Sequence, residues 1–91
     1  MKEYKFNKEK NELLIKQRRI SFAEIIKAIK KKNVVKVINH PNKKKYPKQK
    51  IYLIKLRDYI FSVPFIEEEE YFFLKTIIPS RKYTKKYFKK L

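Results

Sequence analysis

Arg81 is the side chain with the clearest chemical use in this chain. It follows the run Thr76-Ile77-Ile78-Pro79-Ser80, and Arg18, Arg19 and Arg57 are the only other arginines among 26 basic residues. A forked guanidinium can hold two oxygens of one phosphate group, which the point charge of a lysine does less well. Lys82, Tyr83, Lys85, Lys86 and Tyr87 come next. Cations interleaved with aromatics can grip a nucleic-acid backbone and stack a base. The same spacing has a plainer use. Tyr83 and Tyr87 are four apart on a helix and, with Phe88, would dock it on a sheet. Lys85 and Lys86 would then be solubility charges, and Arg81 the start of that helix, paired with an acidic turn.

Proton transfer needs other groups. His40 is the single histidine, and histidine is the one side chain whose ordinary pKa lies near neutrality. It stands before Pro41, with Lys43, Lys44 and Lys45 nearby; the plainer reading is a lone surface histidine. Tyr52 and Tyr83 are weaker candidates, useful only with their pKa pulled down by cations. Period-two spacing puts Lys50 and Tyr52 on one strand face and Lys55 on the other. Arg57 either pairs with its neighbour Asp58 or meets RNA.

The chain has no cysteine, so it has neither a thiolate nucleophile nor a sulfur ligand for a metal. Glu67, Glu68, Glu69 and Glu70 read as a solvated turn, because four consecutive carboxylates point in different directions and lack chelating spacing. The sequence therefore calls for no metal and no cofactor. If the partner is RNA, cleavage can use the RNA's own 2′-hydroxyl. That route needs a base for the hydroxyl, a donor for the leaving 5′-oxygen, and fixed cations for charge on phosphorus. Arg81 is then the phosphate clamp, with His40, Tyr52 and Tyr83 the acid–base candidates. Lys50, Arg57, Lys82, Lys85 and Lys86 hold the strand. This enzyme reading predicts a concave basic sheet face with Arg81 at its centre.

Composition sets the partner class. Against the 26 Lys and Arg stand 9 Asp and Glu, a formal net charge of +17. The anionic partners available to such a surface are nucleic acid, an anionic membrane or an acidic protein. No apolar stretch approaches the length of a membrane span, and the opening MKEYKFNKEKNELL does not read as a secretory signal. The expected setting is the cytoplasm, without membrane contact.

The elements that must position these residues are readable from periodicity. Residues 1–91 suffice for one small domain. YKF, residues 4–6, reads as a short edge strand. A helix capped by Asn7 follows, with Leu13 and Leu14 inward. Ser21 and Glu24 have capping-box spacing, opening a second helix whose core stripe is Phe22, Ile25, Ile26 and Ile29. VVKVI, residues 34–38, is a strand, and a basic loop spans 40–50. KIYLIKL and YIFSVPFI form a hairpin through Arg57 and Asp58. Pro64 argues against a regular, central second strand throughout. YFFLKTII reads as one further strand and the C-terminal stretch as a short helix. The predicted class is α+β: two N-terminal helices on a four-stranded, mainly antiparallel sheet, with an extra N-terminal strand and a C-terminal helix.

Three landmarks in this order resemble the BrnT-type toxins of bacterial toxin–antitoxin modules, small members of the RelE/ParE-like superfamily. They are Phe6, Asn7 and Lys10 near the start; Ser21 and Phe22 within ISFAEI; and Arg81, Lys82 and Thr84 within IIPSRKYTKKY. The pattern spans nearly the whole chain. It departs from the family at Gln17-Arg18-Arg19, where Lys-His-Gly is usual, and in lacking glycines in the central hairpin. The resemblance implies an endoribonuclease that cleaves RNA and inhibits translation, neutralised by a cognate antitoxin. That partner would be a small ribbon-helix-helix DNA-binding protein, through which the complex reaches operator DNA. The charge alone fits two other readings: a non-catalytic nucleic-acid-binding module, or a domain that binds an acidic protein.

Overall fold

The computed structural model describes residues 2–88. After strand β1 (Glu3–Phe6), the Asn7 side chain accepts the Lys10 N–H at 2.8 Å and opens α1 (Lys8–Arg18). Arg19 closes that helix in the left-handed region, at φ 53°, with its N–H on the Ile15 carbonyl. Ser21 and Glu24 then bond reciprocally, at 3.2 and 3.3 Å, and open α2 (Phe22–Lys30). The Phe22 N–H also donates to Asn11 Oδ1 at 2.8 Å, which fixes the turn between the two helices.

Only one leucine of α1 reaches the core. Leu14 is buried and Leu13 is 44% exposed, because adjacent positions on a helix point about 100° apart. The stripe of α2 is also narrower than predicted. Phe22, Ile25 and Ala28 are buried, whereas Ile26 and Ile29 lie half-buried at its margin.

The remaining elements are β2 (Val34–Asn39), β3 (Gln49–Leu56), β4 (Tyr59–Glu67), β5 (Tyr71–Leu74), β6 (Ile78–Pro79) and α3 (Arg81–Phe88). The strands form a six-stranded mixed sheet in the order β1-β5-β4-β3-β2, with β6 beside β4. β1 runs parallel to β5, with Phe6 opposite Leu74, and the other pairs are antiparallel. Two N-terminal helices on a mainly antiparallel sheet, with a short N-terminal strand and a short C-terminal helix, are the predicted α+β architecture, extended by one short strand, β6.

The extra strand arises at Pro64. The stretch read as one strand, residues 71–78, divides into β5 and β6 around residues 75–77. On the side of β4 away from β3, β5 pairs with Phe65 to Glu67 and β6 with Phe61 and Ser62. Pro64 falls in the gap, and its carbonyl takes the Lys75 N–H at 2.8 Å. A residue's nitrogen and carbonyl face the same side of a strand. Proline's missing N–H is therefore absent where no ladder bond is required, and β4 stays central and unbroken. The β3–β4 turn has both central residues at positive φ, Arg57 at 55° and Asp58 at 58°. That is the type I′ geometry of two-residue hairpins, built here without glycine.

The main core lies between α1, α2 and one sheet face, where Phe22 and Ile25 meet Ile54, Val63, Phe65 and Leu74. Leu53 and Ile60 are fully buried yet stand outside that cluster. Alternation puts them on the opposite face, under α3.

Candidate nucleic-acid interface

The base of α3 is tied to β4 by two bonds and braced by two more within its first turn. The Ser80 N–H donates to the Ile60 carbonyl at 2.8 Å, which continues the β6 ladder by one rung. The Ile60 N–H donates to Thr84 Oγ1 at 2.9 Å. Thr84 Oγ1 donates its own proton to the Ser80 carbonyl at 2.6 Å, and Ser80 Oγ caps the helix by accepting the Tyr83 N–H at 3.2 Å. At the other end the Lys55 ammonium lies 5.1 Å from the centre of the Phe88 ring. Ser80 and Thr84 are thus what aims the helix, a role that sequence reasoning gave to neither, although Thr84 stands among the landmark residues. Their signal was a hydroxyl pair four residues apart at a helix start.

With Thr84 and Phe88 inward, Arg81, Lys82, Lys85 and Lys86 all stand exposed. At 100° per residue they fill one arc of about 140°. Tyr83 and Tyr87 stack along the flank of this ridge, with centroids 6.5 Å apart. Lys82 lies 5.4 Å from the Tyr83 ring and Lys86 5.7 Å from the Tyr87 ring. The first turn of α3 contains no acidic residue. Arg81 and Lys82 therefore add positive charge where the helix dipole is already positive, an arrangement that an anion relieves.

Among the described residues the ridge has no carboxylate partner. Among the described residues the ion pairs are Lys2–Glu67, at 2.6 Å, and Arg57–Glu24. The acidic turn is engaged by Lys2, which holds the Glu67 carboxyl below the usual carboxylate range, with a smaller contribution from Lys50. Arg81 does begin the last helix, but its pairing with that turn is not realised. Nor does Arg81 sit at the centre of a basic sheet face. It stands on the helix, and the open part of the adjoining sheet face carries half-buried Ile51, Pro64 and Ile66.

The other predicted residues lie elsewhere. His40 Nδ1 accepts the Asn42 N–H at 3.0 Å, and its ring packs 4.5 Å from Tyr46, so it shapes the basic loop. Its own N–H bonds the Gln49 carbonyl. Six residues of β3, about 20 Å, separate Gln49 from Lys55 beneath α3. Tyr52 is buried in the main core, stacked 4.0 Å from Phe65. Burial pushes its pKa above the ordinary tyrosine value, reinforced by Tyr4 and then by Glu67. That shift is opposite to what a tyrosine base requires. Lys50 is exposed on the same face as Tyr52, near Glu67. Arg57 pairs with Glu24 rather than with Asp58, and donates to the Arg19 carbonyl at 3.0 Å. It clamps the hairpin turn to the helical turn.

Arg81, Lys82, Tyr83, Lys85 and Lys86 are therefore brought together; His40, Tyr52, Lys50 and Arg57 are not. Among the described residues no group of three or more acidic or histidine side chains is placed to hold a metal ion. None of their helices is long and apolar enough to cross a membrane. No protein-family model, curated protein or solved structure matches the chain.

Proposed function

We propose that this chain acts on RNA through α3, as a toxin of the BrnT, RelE/ParE-like kind. The observation that carries the reading is the ridge of Arg81, Lys82, Lys85 and Lys86, exposed on a helix anchored to the sheet and unpaired with any described carboxylate. The landmark residues of the sequence support it, as does the order of two helices, an antiparallel meander and a closing helix.

In the catalytic form of this proposal Arg81 grips the scissile phosphate with both arms of its guanidinium. Lys82, Lys85 and Lys86 hold the flanking phosphates. The 2′-hydroxyl gives its proton to solvent water as it attacks phosphorus, and the 5′-oxygen leaves as its bond breaks and is protonated. Tyr83, whose ring lies 5.4 Å from the Lys82 ammonium, takes the proton-donor role. The cell-level consequence is inhibited translation, and a cognate antitoxin is the silencing partner. A second reading, RNA binding without cutting, is favoured by one observation: His40 and Tyr52 stand apart from the ridge.

Incubation of the purified chain with RNA in EDTA separates the two. Cleavage that leaves 2′,3′-cyclic phosphate ends, and falls at least tenfold in Arg81→Ala, supports the enzyme. That figure corresponds to the loss of hydrogen bonds to a charged group worth about 1.5 kcal/mol or more. Tight binding with no cutting supports the module.

A further inference from the structure

A second surface lies on the opposite side of the sheet from α3. A groove of about 850 Å³ runs between α2 and the edge of the sheet, floored by Tyr4 and Phe72 and walled by Ile26 and Ile29. It continues into a second hollow of about 510 Å³ that shares Ile26 and Lys30 and reaches Phe6. The cause is visible in the packing. α2 lies over β3, so Tyr4 and Phe72 on β1 and β5 have only the flank of α2 beside them. Tyr4 and Phe72, though packed against the core cluster, keep part of their apolar surface open to this groove.

The rim is cationic. Lys2, Lys27, Lys30 and Lys31 line the two hollows, against the single carboxylate of Glu3. We infer that this groove receives an acidic amphipathic helix of a partner protein, laid beside α2. Its apolar stripe would rest on Tyr4, Phe72, Ile26 and Ile29, and its acids would face Lys27, Lys30 and Lys31, Lys2 being paired with Glu67.

Three other occupants are disfavoured by the same observations. A second copy of the chain brings its own charge of +17. The chain's own acidic run, Glu67 to Glu70, is committed to the β4–β5 turn. Single-stranded nucleic acid needs free aromatic faces. Here Tyr4 and Phe72 stack on each other at 5.2 Å, Phe65 meets Phe72 edge-on, and Lys2 lies 5.1 Å from the Phe72 ring. An antitoxin would supply such a helix if the toxin proposal holds, but the groove argument does not require that reading.

The test uses a synthetic helical peptide of about 18 residues, five turns, with one leucine stripe flanked by glutamates. The comparison is a peptide of identical composition, scrambled to break the stripe. The striped peptide should bind at least tenfold tighter and shift the methyl resonances of Ile26 and Ile29. Lys27→Glu with Lys30→Glu, both on the exposed side of α2, should weaken it at least tenfold while leaving the fold intact by circular dichroism. Equal affinity for the two peptides, absence of binding, or shifts confined to α3 would overturn the inference. So would a short RNA that shifts the groove methyls when the striped peptide does not. None of these readouts involves RNA cleavage, so this proposal and the nuclease proposal fail separately.

Discussion

Thr84 Oγ1 stands 2.9 Å from the Ile60 nitrogen while donating to the Ser80 carbonyl at 2.6 Å, so one hydroxyl joins α3 to β4 and closes its first turn. The ridge above it is held by backbone geometry rather than by long side chains. A cationic helix that would otherwise float is thereby given a fixed direction.

The first prediction tests that anchor. Thr84→Val keeps the volume but strands the Ile60 N–H, and a part-buried unsatisfied donor costs about 1–3 kcal/mol. Urea unfolding should show a loss in this range, and Thr84→Ser should recover most of it. RNA affinity should fall with Thr84→Val even at temperatures where the chain is fully folded.

The second concerns Arg57. Its guanidinium joins Glu24 and the Arg19 carbonyl, so it belongs to the scaffold. Both partners of the ion pair are more than a third exposed, which limits the coupling in an Arg57→Ala/Glu24→Gln cycle to about 1 kcal/mol or less. Arg57→Ala should lower stability slightly and leave RNA affinity within about twofold. A large loss of affinity would return Arg57 to the RNA-holding set.

How much of this was readable from sequence depends on the range of the interaction concerned. Asn7, Ser21 and Glu24 announced two helix starts because caps act over three residues. The Arg57-Asp58 hairpin followed from the strands on either side. The division of residues 71–79 was not legible, since it depends on Pro64 lying opposite the break, a contact made across the sheet. The ion-pair partner of Arg57 was not legible for the same reason: Glu24 lies far away in sequence. Periodicity placed Tyr52 with Lys50 but could not say that this face is the core. The ridge itself was legible, because Arg81, Lys82, Lys85 and Lys86 fall within two turns of one helix.

Titration offers a third prediction. Tyr52 has a raised pKa, chiefly from burial. The folded state thus binds its proton more tightly than the unfolded chain does. The resulting stability is complete below the ordinary tyrosine pKa of about 10 and is lost as pH rises beyond it. Tyr52 should show no phenolate absorbance at pH values where exposed tyrosines have ionised. Tyr52→Phe should flatten the alkaline fall in stability.

The carboxylate case has the opposite sign. Glu67 has a lowered pKa, first through the hydrogen bond from Lys2 and then through its charge. Its contribution is present above the unfolded-state pKa and disappears as pH falls through the folded value. An NMR titration should place Glu67 below the ordinary carboxylate value, and Lys2→Ala should move it upward.

The central claim is that α3, and not total charge, engages RNA. The most direct measurement compares two variants that each lose four positive charges. One carries Arg81→Ala, Lys82→Ala, Lys85→Ala and Lys86→Ala on the helix. The other carries Lys43→Ala, Lys44→Ala, Lys45→Ala and Lys48→Ala in the basic loop. Affinity for a single-stranded RNA of ~12 nucleotides is followed across a salt series. The helix variant should bind at least tenfold more weakly and lose about three from the slope of log K on log salt, near 0.7 per phosphate contact. The loop variant should stay within about threefold of the parent. Equal losses in the two would contradict the claim, showing that RNA is held by diffuse charge and that α3 is no defined site.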